Sequence, residues 1–101
     1  MSVYLQPKED KLVFLPHSGS LMLNLQTTQV WTAVRRFGKS TEEDGKPTVI
    51  GYALRLEGDT SPTAFLVDFD TILNNFNVIS NGEELPYHST KVALDAMVRD
   101  A

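Results

Sequence analysis

Cysteine is absent from the 101-residue chain, which removes disulfides, thiolate metal sites and cysteine nucleophiles from consideration. Small secreted domains often need such cross-links, so a reducing compartment suits this composition better. Long apolar runs are also missing. Stretches such as LVFL at 12–15 fall far short of the ~20 residues that span a bilayer as a helix. The first residues, MSVYLQPKED, lack the basic start and apolar stretch of a secretion signal, and no Asn-x-Ser/Thr acceptor occurs. The expectation is a soluble, cytoplasmic protein with no membrane partner.

The familiar catalytic signatures are missing too. Neither G-x-x-x-x-G-K-[ST] nor G-x-G-x-x-G occurs, so nucleotide chemistry has no phosphate cradle. G-x-S-x-G, H-E-x-x-H and the S-x-x-K set are likewise absent. The expectation is a non-enzyme without metal or cofactor.

What remains is an ordinary globular composition: 42% hydrophobic, 22% charged, nine aromatic residues. A chain of this length buries roughly 65% of its unfolded surface, enough for one core, and residues 1–101 are read as one domain. Charge is uneven along it. Residues 1–56 carry seven basic and five acidic side chains, a net of +2, whereas residues 57–101 carry two basic and eight acidic, a net of −6. Such an acidic half favours a basic protein partner and disfavours phosphate.

Hydrophobic spacing supplies the architecture. Val3–Gln6, Lys11–Leu15 and Ser20–Gln26 read as a small antiparallel meander, with turns at PKED and PHSGS. In the third run Leu21, Leu23 and Leu25 alternate with polar or flexible residues, which predicts leucines on one side. Residues 26–40, QTTQVWTAVRRFGKS, read as a helix over about 28–37. At 100° per residue, Val30, Ala33, Val34 and Phe37 form one stripe with Trp31 at its edge, and Arg35, Arg36 and Lys39 lie opposite. As a strand neither alternate set is apolar. Thr27 or Thr28 would cap that helix and Gly38 would end it.

Polar residues about 39–47 then read as a mobile loop. Ile50, Tyr52, Leu54 and Leu56 alternate, as do Phe65, Val67 and Phe69, and the turn signal GDTSP between them predicts a hairpin. Asp70 can cap a short helical turn. Val78 and Ile79 lead into Asn81-Gly82, a pair suited to tight turns. A last helix over about 89–100 starts at Ser89 or Thr90, with Val92, Ala93, Ala96 and Met97 on one side and Lys91, Asp95 and Arg99 at i,i+4 spacing. The expected class is α+β, an antiparallel sheet of about five strands with two main helices on one face.

Several residues invite a functional reading. Asp68-Phe69-Asp70 has an Asp-x-Asp form that chelates cations when both carboxylates leave the same side of a strand. His17 and His88 each neighbour a serine, Ser18 and Ser89, the raw material of a triad. Arg35, Arg36 and Lys39 would contact three phosphates, with a log–log salt slope of only about −2.7. Glu42, Glu43 and Asp44, and again Glu83 and Glu84, form short acidic runs. Trp31, at the margin of the apolar stripe, is either core closure or an interface anchor.

The leading expectation is a small protein-binding regulator or inhibitor acting through an acidic C-terminal-half surface, with Trp31, Glu42, Glu43, Asp44, Glu83, Glu84 and Asp95 as contacts. A nucleic-acid-handling protein is a suitable target, and an accessory role in a mobile element fits the type. The alternative is a nucleic-acid-binding module using Arg35, Arg36 and Lys39. Homodimerisation stays open.

Overall fold

The computed structural model describes residues 3–40, 45, 47–58 and 63–100. Eight strands and two α-helices follow in the order β1 (Val3–Pro7), β2 (Lys11–Leu15), β3 (Leu21–Leu25), β4 (Trp31–Ser40), β5 (Pro47–Leu56), β6 (Phe65–Asp68), α1 (Phe69–Asn75), β7 (Phe76–Ser80), β8 (Glu83–Glu84) and α2 (Thr90–Asp100). Six strands form an antiparallel sheet ordered β6-β5-β4-β1-β7-β8, and β2 and β3 form a separate two-stranded ribbon. The class is α+β, as the spacing predicts. The N-terminal meander is not formed, because β1 leaves the ribbon to pair with β4 on one side and β7 on the other.

The expected helix over 28–37 is strand β4, and its irregularity explains why its spacing misleads. Ala33 pairs with Leu54, but Arg35 pairs with the very next residue back, Ala53. Val34 is therefore the extra residue of a β-bulge, which shifts the alternation by one. Before it, Trp31 and Ala33 face inward; after it, Arg36 lies opposite Tyr52 on that same inward side. A second shift, between Phe37 and Gly38, puts its extra residue, Ile50, on β5. The slip at Val34 alone leaves neither alternate set of β4 apolar across the window, so the period of two is hidden. Gly38 sits in the strand rather than ending a helix.

Directly paired residues of antiparallel strands share a face, so the register assigns sides. Leu5 pairs with Trp31 and Val78, Trp31 with Leu56, Ala33 with Leu54, Leu54 with Phe65, and Tyr52 with Val67. All of these lie in or against one core cluster that also holds Ile72 of α1, Ala93, Leu94 and Met97 of α2, and Val13, Leu15 and Leu25 of the ribbon. The opposite face carries Gln6, Thr32, Arg35, Arg55, Leu66 and Asn77, none of which joins that cluster. Both helices and the ribbon therefore cover one side of the sheet.

In α2 the inward stripe is Thr90, Ala93, Leu94 and Met97, the i, i+3, i+4, i+7 set of an amphipathic helix. It is rotated from the expected stripe: Leu94 is fully buried and Val92 is 70% exposed. α1 begins at Phe69 with Asp68 at its N-cap position and Asp70 in the first turn. Asp68 makes no capping bond, since its carboxylate turns to His17 instead. Among the described residues no helix is long and apolar enough to cross a membrane.

Candidate protein-binding surfaces

Trp31 is core. Its indole is 1% exposed, its ring stands edge-on to Phe65 and Phe76 at centroid distances of 5.9 and 6.2 Å, and its Nε1 donates to Gln29 Oε1 at 3.1 Å. An aromatic so enclosed has nothing left to offer a partner.

Asp95 also turns inward. Its Oδ1 accepts a 2.7 Å hydrogen bond from the hydroxyl of fully buried Tyr52, its Oδ2 accepts from Lys91 Nζ at 3.2 Å, and Arg36 Nη1 lies 3.8 Å away. Burial pushes the Asp95 carboxyl up, but the Tyr52 hydroxyl, Lys91 and Arg36 together outweigh it and hold it below the usual carboxylate range. Burial first, and then the bond to Asp95, raise the Tyr52 phenol far above its ordinary value. This network joins α2 to the sheet and leaves Asp95 neutralised, unlike a carboxylate waiting for a basic partner.

The three cations of β4 do not share a face. Arg36 reaches toward Asp95, while Arg35, paired with Ala53, leaves on the opposite side. Lys39 lies further out, opposite Thr48 beyond the second bulge. A phosphate-tracking stripe needs these charges on one surface, and as neighbouring strand positions Arg35 and Arg36 leave on opposite sides.

His17 and Asp68 do meet: His17 Nε2 is 3.0 Å from Asp68 Oδ1, an oxygen shielded from solvent that no donor reaches with good hydrogen-bond geometry. The His17 ring also leans on Phe37, 5.5 Å between centroids. This cluster ties the ribbon's turn to β4 and β6. A triad would require a serine on the histidine's other nitrogen, and among the described hydrogen bonds none supplies it. His88 is exposed in the 3₁₀ turn Tyr87–Ser89. Because α1 starts between them, Asp68 and Asp70 no longer occupy alternate strand positions. Among the described residues no three acidic or histidine side chains gather around a metal-sized space.

Glu42, Glu43 and Asp44 lie outside the described residues, as does most of the expected loop. Glu83 and Glu84 form β8, closed onto Ser80 and Ile79 through a tight turn. Asn81 and Gly82 both take positive φ, 54° and 82°, the backbone that an Asn-Gly turn permits. Both glutamates are exposed, and neither has an ion-pair partner among the described residues. Just beyond them the Leu85 N–H donates to Val78 O, and the chain passes through Tyr87 into α2. Tyr87 is 72% and Val92 70% exposed. Two carboxylates and two large apolar side chains thus follow one another within ten residues on the surface. Both apolar members were missed in the sequence; Pro86 before Tyr87 and the α2 stripe fixed by Leu94 are the signals that would have exposed them.

A second apolar surface lies on the ribbon, whose outward row holds Leu12, Phe14 and Met22; Leu21, also exposed, belongs to the other face, opposite Leu15. A shallow groove between the β3–β4 linker and the end of β5 is lined by Thr28, Gln29, Val30, Leu56, Glu57 and Gly58, without a gathered set of reactive groups. No family model, curated protein or solved structure matches the chain.

Proposed function

We propose that the chain is a non-enzymatic protein-binding regulator or inhibitor that docks on a basic protein partner through Glu83, Glu84, Tyr87 and Val92. The supporting observation is the pairing of unneutralised carboxylates with exposed apolar side chains: Glu83 and Glu84 precede Tyr87 and Val92, which are 72% and 70% exposed. Interface energy concentrates in desolvated aromatic anchors, while charges around them steer encounter and set the on-rate. The −6 balance of residues 57–101 extends that steering field. Asp95 drops out of the contact set because its charge is already met inside the fold.

A basic, nucleic-acid-handling protein of the cytoplasm is the partner class this chemistry favours, and an accessory role in a mobile element remains the biological setting we attach to it. Neither cofactor nor metal enters the reading. The test compares the chain with Tyr87→Ala and with the pair Glu83→Lys, Glu84→Lys as baits in an extract of the native host, followed by binding kinetics on the recovered protein. The lysine pair should slow association at least tenfold at low salt and less at high salt. Tyr87→Ala should speed dissociation. Unchanged kinetics for both would overturn the assignment.

A further inference from the structure

We infer that β3 is a self-association edge, along which a second copy of this chain adds its own β3 in antiparallel register. The inference uses none of the residues of the acidic C-terminal surface.

Sheet edges expose unpaired N–H and C=O groups, and soluble proteins guard them with short strands, charge, proline or bulges. Among the described residues four strand edges are free, and three are guarded. β8 is two residues long and both are glutamate. β6 is four residues long and ends at Asp68. β2 starts with Lys11 and runs into Pro16. β3, LMLNL, is paired with β2 alone and carries no charge, no proline and no bulge.

β3 is also complementary to itself. A two-fold interface must pair a surface with its own copy. Turned antiparallel about Leu23, the strand sets Leu23 against its counterpart and Met22 against Asn24 of the second copy, while Leu25, 0% exposed, lies behind the edge. Every position then meets an uncharged residue, and no like charges oppose across the seam. The flanking row is apolar as well: Leu12 is 60%, Phe14 52% and Met22 53% exposed. Across the two-fold the order would become Phe14, Met22, then Asn24 and Leu12 of the second copy. The two short ribbons would form one four-stranded sheet, and an isolated two-stranded ribbon is the marginal arrangement.

Five-residue strands bury less than the ~800 Å² per partner of a standard interface, so the dimer is a concentration-dependent one. Sedimentation velocity from about 1 to about 500 µM should show the mass rise toward twice the monomer value. Met22→Lys with Asn24→Lys places a guard on the edge at two exposed positions, and should hold the protein at monomer mass with an unchanged circular dichroism spectrum. Phe14→Ser, which alters the face and not the edge, should leave the dimer fraction within about twofold. Because the chain has no cysteine of its own, Met22→Cys with Asn24→Cys should oxidise to a covalent dimer. Monomer mass at every concentration, or dimer retained in the lysine variant, overturns the inference; so does loss of the dimer in Phe14→Ser alone, which would make the contact face-to-face.

Discussion

Removing the Tyr52 hydroxyl tests whether the contact between α2 and the sheet is energetic or incidental. Tyr52 is 0% exposed, and its hydroxyl donates to Asp95 Oδ1 at 2.7 Å. A hydrogen bond to a charged acceptor contributes about 1.5–3 kcal/mol. The Asp95 side chain keeps 29% exposure and retains Lys91, so the low end applies, and Tyr52→Phe should cost about 1.5 kcal/mol. Asp95→Ala strands a buried hydroxyl, at about 1–3 kcal/mol, and loses an exposed i,i+4 pair worth only ~0.3–0.5 kcal/mol. The double variant, which no longer carries the stranded hydroxyl, should be no worse than Asp95→Ala alone, a coupling of at least about 1.5 kcal/mol. Urea titrations at neutral pH measure all four corners, and Tyr52→Phe should lower Tm by roughly 6–12 °C.

pH supplies an independent arm. The folded carboxyl of Asp95 is held low, so its contribution is complete above the unfolded value of about 4 and is lost as pH falls through the lower folded value. The stability gap between the natural chain and Asp95→Asn should therefore be flat through neutral pH and close only in strong acid. Additive single effects, within ~0.3–0.5 kcal/mol, or a gap that widens on acidification, would refute the reasoning.

Two further substitutions probe the core and a close approach. Trp31→Ala removes a side chain 1% exposed and should cost about 3–5 kcal/mol, a large share of a typical domain's stability; circular dichroism in urea reads it, and a loss under 1 kcal/mol would contradict core placement. Gly51 has room for no Cβ, which would press on Val67 O and the Phe37 ring, so Gly51→Ala should cost about 1–3 kcal/mol through overpacking and show a lowered urea midpoint.

Where the periodicity is uninterrupted, sequence and structure agree. The β5–β6 hairpin, the Asn81-Gly82 turn, the β2 and β3 strands and the C-terminal helix all follow from alternation, turn chemistry or capping. β4 fails because its extra residue, Val34, shifts the alternation midway and erases the local period that any reading of a window relies upon. The placement of β1 is illegible for a different reason. It is fixed by partners some 26 and 75 residues away, Trp31 and Ser80 to Phe76, and nothing within its own five residues names them. Among candidate contacts, Glu83 and Glu84 were legible as exposed charge, whereas the fate of Asp95 depended on Tyr52, 43 positions earlier. Exposure of Val92 was decided by its neighbour Leu94, which claimed the inward stripe and turned Val92 out.

Trp31 gives the molecule a built-in optical reporter. It is the single tryptophan, enclosed between two phenylalanines, so its emission comes from one known site and should shift to the red only when water enters the core. Tyr87 and the β3 edge belong to other parts of the surface. Fluorescence at 295 nm excitation should thus follow unfolding cleanly and stay silent when a partner or a second copy docks, separating variants that lose their shape from those that lose only their contacts.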